Sequence, residues 1–106
     1  MGPMEATIID RLAGAFSPDV LQVTNESYMH SVPAGSESHF KVVIVTDQFS
    51  GKRLVQRHQS IYGLLAAELK DSIHALALHT YTIAEWAEKN GTAPQSPDCL
   101  GGRKTS

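Results

Sequence analysis

The run His39-Phe40-Lys41-Val42-Val43-Ile44-Val45-Thr46 (HFKVVIVT, residues 39–46) decides the fold. Five β-branched residues in succession, Val42 to Thr46, fit an extended strand packed in a sheet far better than a helix, where branched side chains lose χ1 freedom. His39, Lys41, Val43 and Val45 share one side of that strand by its period of two. Upstream lies SYMHSVPAGSES (27–38), twelve residues with no apolar period. A connection of that length inside a compact domain is more often functional than idle. Before it, Val20 to Asn25 alternates with β-branched content and is expected to form another strand. Earlier still, Ile9, Leu12, Ala13 and Phe16 fall at helical spacing from about Glu5, with a stop at Ser17-Pro18 because the residue before a proline is driven out of the α region.

Downstream, Ser50-Gly51 marks a turn, and Leu54, Ile61, Leu65 and Leu69 follow along one stripe, with Val55, Tyr62 and Leu64 beside it. The spacing predicts the main helix over residues 54–70, weakened at Gly63, which costs roughly 1 kcal/mol relative to alanine. A third strand is expected at His74–Tyr81 after the Asp71-Ser72 break. Thr82 and Glu85 have the spacing of a capping box ahead of Trp86, and Asn90-Gly91 ends that helix. The expected class is therefore α+β in the order helix, strand, strand, helix, strand, helix, with one layer of helices on one face of a three-stranded sheet and the other face open. Residues 1–3 read as a vector-derived scar ahead of a native Met4, residues 4–91 as the domain, and residues 92–106, rich in proline, glycine and serine, as a flexible tail.

Composition sets the outer limits. The 106 residues suffice for one core, and 9 basic against 11 acidic side chains give a formal charge of -2, so no overall basic field steers phosphate. No stretch is apolar enough to indicate a membrane span. A single cysteine, Cys99, excludes an internal disulfide, and no secretory leader opens the chain. A reducing compartment, most simply the cytoplasm, is the expectation.

Five histidines, at 30, 39, 58, 74 and 79, are the unusual supply of reactive groups. His58 lies near the apolar stripe of the main helix, and His79 sits on one face of the third strand, so both are expected to be partly buried structural rings. His39 opens the second strand, where it is expected to anchor the far end of the loop. His30 in the loop and His74 at the mouth of the third strand belong to no core period, and they are the candidate metal ligands. They amount to half a site, because a self-contained zinc or iron-sulfur centre needs four ligands in close pairs that the chain lacks. Cys99 has no base beside it in sequence, and Glu37, Asp47 and Glu68 are scattered, so no enzyme is indicated. Lys52, Arg53 and Arg57 at the start of the main helix are the candidate nucleic-acid contacts, although so few cations give weak, salt-sensitive binding and a solvated face is the simpler account.

The segments ESYMHSVPAGSESHFKVVIV, FSGKRLVQRHQSIYGLLAAEL, IHALALHTYTIAEW and SPDCLGG, in that order, resemble the BolA family, and specifically its bacterial type. The resemblance implies an α+β domain similar to class II KH domains, with a mixed sheet backed by helices, although the Gly-x-x-Gly used by KH domains to clamp RNA is missing between the helices. It also implies a non-enzymatic regulator that pairs with a monothiol glutaredoxin and shares a bridging 2Fe-2S cluster with it and with glutathione, carrying no cofactor when alone. The family's ligand positions match His30 and His74. The alternative it implies is a stress-response and cell-shape regulator that binds promoter DNA. No membrane partner is expected, and the chain alone is expected to be a monomer or weak homodimer.

Overall fold

The computed structural model describes residues 2–27 and 37–91. The loop position of His30 and the tail 92–106 lie outside the described residues. In chain order the described elements include α1 (Pro3–Phe16), β1 (Val20–Asn25), β2 (His39–Val45), a 3-10 turn (Asp47–Phe49), α2 (Leu54–Leu64), α3 (Ala66–Asp71), β3 (Ala75–Tyr81) and α4 (Ile83–Glu88). The sheet order is β1-β2-β3, with β1 antiparallel to β2 and β2 parallel to β3, so the sheet is mixed. The HFKVVIV strand is its centre, as its unbroken apolar character requires.

Helix α1 starts at Pro3, two residues before Glu5, because Pro3 supplies a preset φ at the first helical position and Glu37 accepts from Met4 N–H at 3.2 Å and Glu5 N–H at 3.1 Å. A carboxylate from the far end of the long loop thus satisfies two backbone donors that the helix itself leaves open. The helix stops where expected, with Ser17 in the left-handed region at φ 44°.

The expected main helix is two helices. The interruption is at Leu65 (φ -100°, ψ 19°), not at Gly63. Leu65 is fully buried, and its N–H still donates to Ile61 O at 2.9 Å while its own carbonyl accepts from Leu69 N–H at 2.9 Å. The apolar stripe therefore passes through the bend without losing its backbone partners. Gly63 has open space where a Cβ would sit, so packing does not require a glycine there.

One face of the sheet, with Phe40, Val42 and Ile44 from β2, packs against Ile8, Leu12 and Phe16 of α1, Phe49, Ile61, Leu65 and Ile73. The opposite face differs from the expectation of helices on one side only. Val43, Val45 and Tyr81 form a second, smaller cluster against Val20 and Trp86, so α4 covers one end of that face. The sequence reason is Trp86, whose large apolar ring has area to bury and sits one turn beyond a satisfied capping box in which Thr82 Oγ1 accepts from Glu85 N–H and Glu85 accepts from Thr82 N–H. Because Val45 pairs with Tyr81 at the α4 end and His39 pairs with Ala75 at the other, α4 lies away from the His39 end of this face.

Candidate functional site

That end brings together His39 and His74. His39 opens β2 and His74 immediately precedes β3, and the parallel register His39↔Ala75 brings them side by side. Ser38 O accepts from both His74 N–H (2.7 Å) and Ala75 N–H (3.1 Å), fixing the backbone of one ring against the residue before the other. The ring centroids are 5.2 Å apart with planes inclined at 50°. His74 is exposed and His39 half-buried, so both belong to the surface.

The two ends of the long loop meet at the same point. Ser27 Oγ, in a buried residue, accepts from Ser38 N–H at 3.0 Å and His39 N–H at 3.1 Å, and Glu26 N–H donates to His39 O at 2.7 Å. The return of the loop is thus held by the Ser27 hydroxyl and the His39 backbone. The His39 ring itself has Nδ1 at 2.8 Å from Ser38 Oγ and faces His74. Neither Ser27 nor Ser38 is visible as a site residue in sequence, because a serine in a polar loop gives no period and no motif. Their role follows from the hydrogen bonds made where the strand ends meet.

The other two histidines are partly buried. Burial, joined by the Arg57 cation, holds the His58 pKa below its ordinary value, and burial with Lys41 close by does the same for His79. Among the described residues, no group of three or more His, Cys, Asp or Glu side chains is arranged to hold a metal ion.

The candidate nucleic-acid cations separate. Lys52 and Arg53 are exposed at the start of α2, where Gln56 Oε1 accepts from Arg53 N–H at 2.9 Å. Arg57 corrects the expectation of a solvated cation: it is 6% exposed, donating through Nε to Lys52 O, through Nη1 to Thr80 O at 3.2 Å, and through both terminal nitrogens to Glu85 at 2.7 and 3.1 Å. Its guanidinium also lies 5.7 Å from the Phe49 ring centre. The physical reason is that β3 is an edge strand whose outward carbonyls need donors. Arg57 serves Thr80 O, and Tyr62 Oη serves Leu76 O at 3.4 Å one turn further along α2. Glu85, the partner that makes this burial tenable, was legible only as a capping residue.

A small mixed sheet with this helix order and a histidine pair at one strand end defines a class of compact α+β domains. The family model described as BolA-like protein matches residues 12–85, and the chain belongs to the BolA family. It is 56% identical over 94 residues to the DNA-binding transcriptional regulator BolA of Escherichia coli, covering 89% of this chain and 90% of that one. Its identity to BolA-like protein 1 of Homo sapiens is 47% over 104 residues, covering 98% of this chain and 75% of the other. Among solved structures, mouse BolA1 superposes with a TM-score of 0.82 at 46% identity, covering 95% of this chain and 81% of that one. No helix among the described residues is long and apolar enough to cross a membrane.

Proposed function

We propose that this chain is a non-enzymatic regulatory protein that contributes imidazole ligands to a 2Fe-2S cluster shared with a monothiol glutaredoxin and its glutathione. The observation that carries the reading is the meeting of His74 with both ends of the long loop, through Ser38 O and Ser27 Oγ. His30, the other expected ligand, lies outside the described residues. The donor set suits half a cluster: imidazoles replace thiolates on one iron of Rieske-type centres, where they raise the potential. Protons compete for the same ring nitrogens, so acid releases the ligands. When bound, the cluster supplies one-electron and iron-sensing chemistry, and the chain's own residues present rings and hold the loop ends.

The test is visible absorption and circular dichroism of the chain mixed with a cluster-loaded monothiol glutaredoxin. The spectrum is expected to change on mixing, to revert in His74→Ala and to weaken in His30→Ala. Spectra indifferent to both substitutions reject the site.

A second reading, promoter binding, is favoured by the name of the Escherichia coli relative and by that of the Vibrio cholerae relative, which is 50% identical over 103 residues. The exposed pair Lys52 and Arg53 is its contact, with Arg57 holding α2 against β3 and α4. In a promoter-fragment shift assay, the Lys52→Ala/Arg53→Ala double variant is expected to lower the salt slope by about two. A slope left unchanged argues against that surface.

A further inference from the structure

We infer that the outer edge of β1 pairs antiparallel with the β1 edge of a second copy of this chain, joining two three-stranded sheets into one across a two-fold axis. The contact uses neither the His39–His74 rim nor the Lys52–Arg53 pair, so it stands or falls independently of both functional readings.

Backbone direction is the first argument. Glu26 N–H donates to His39 O and Asp19 N–H to Val45 O, so alternate residues of β2, from His39 to Val45, turn their peptide groups toward β1. By the register of the pair, Val20, Gln22 and Thr24 turn theirs back toward β2, while Leu21 and Val23 direct both N–H and C=O away from the sheet. Among the described residues, no side chain or further strand meets those outward groups. At the sheet's other edge, by contrast, Tyr62 and Arg57 donate to the outward carbonyls of Leu76 and Thr80.

The second argument is that β1 carries none of the usual guards. Edge strands are ordinarily blunted by charge, by proline or by a bulge. Val20–Asn25 holds no charged residue and no proline, and its pairing with β2 runs in unbroken register.

Self-complementarity names the occupant. An edge that presents a donor and an acceptor at every second residue matches its own copy when the two run antiparallel. With the two-fold axis at Gln22, Leu21 of one copy stands opposite Val23 of the other, and each such pair exchanges both N–H···O=C bonds. Leu21 and Val23 are half-buried on the sheet face that carries the main core, so this register also brings their uncovered apolar surface together. Asp19 then stands opposite Asn25 and Glu26 opposite Pro18, so the acidic residues that bracket the strand do not oppose one another. Two short strands bury little area, which makes the dimer weak and reversible.

The experiment is sedimentation of the full-length chain under a thiol reductant from about 10 μM to 1 mM, the range a small transient interface implies, with backbone amide exchange read at both extremes. Mass is expected to rise from one chain toward two. The amides of Leu21 and Val23 should exchange more slowly at the high concentration, while those of Gln22 and Thr24, bonded to β2, stay protected at both. This readout needs no variant and so no assumption about folding. Gln22 is exposed, and Gln22→Lys sets like charges opposite each other at the axis, weakening the dimer at least threefold. Gln22→Glu should do the same, and an equal mixture of the two variants should restore association to within threefold of the unsubstituted chain. A mass of one chain at every concentration, or a dimer whose Leu21 and Val23 amides exchange as in the single chain, overturns the inference. So do charge variants that associate as the unsubstituted chain does, or a mixture no tighter than its components. Protection of Leu21 and Val23 at the mass of one chain assigns the edge to another segment of the same chain and likewise overturns self-pairing.

Discussion

Arg57 shows how the same side chain changes meaning between sequence and structure. In sequence it is the third cation of a short basic run; in the fold it is a buried donor that ties α2 to the edge of β3 and to the start of α4. Replacing it by methionine strands the Thr80 carbonyl and the Glu85 carboxylate. The expected loss is about 2–3 kcal/mol, below the range for a fully buried pair because solvent screens Glu85, whose side chain is 44% exposed. Urea unfolding of Arg57→Met checks this, and a change under about 0.5 kcal/mol would contradict the buried-hub role. The pH dependence has a definite sign. Burial depresses the folded-state pKa of His58 and His79 below 6.5. Their contribution is present above that value and is lost as pH falls from about 6.5 through the lower folded values. The Arg57 hydrogen bonds depress Glu85 in the same direction, within the acid range of carboxylates. Denaturation midpoints are therefore expected to decline between about pH 7 and 5, with a shallower decline in a His58→Gln/His79→Gln variant.

At the scale of elements, most boundaries were legible because local chemistry writes them. Val20–Asn25 appears with the expected limits, the Thr82–Glu85 capping box is made, and Asn90 and Gly91 leave the last helix with φ of 57° and 70°. The division of the main helix at Leu65 was not legible, because a fully buried leucine in the apolar stripe reads as helix continuation. Gly14 and Gly63 give a direct test. Both lie inside helices, and the position a Cβ would take has nothing within 4 Å, so each change to alanine is expected to stabilise by about 0.5–1 kcal/mol. Glu37→Ala acts the other way, removing a remote cap from α1. It should cost about 1 kcal/mol and speed amide exchange at Met4 and Glu5. Equal exchange in the two proteins would show that the cap is idle.

Across the whole molecule, the sheet keeps its two ends apart: α4 and Trp86 close one, and the His39–His74 rim lies at the other. Trp86→Ala is expected to destabilise by about 2 kcal/mol, less than a fully buried tryptophan because this ring is only partly covered. It should leave the ring resonances of His39 and His74 at the far rim unchanged, since sites that share no partners act independently. Shifts of the His39 and His74 resonances in the variant would show that the ends communicate. The sequence by itself determined the class of fold, the central strand and the two main core-forming helices, because period, β-branching, caps and turn residues act over a few positions. Only the tertiary structure decided that Arg57 turns inward, that Trp86 closes the second face, and that His39 stands beside His74. Those outcomes depend on the parallel pairing of β2 with β3, and pairing of distant strands is set by packing across the molecule, which no local pattern encodes.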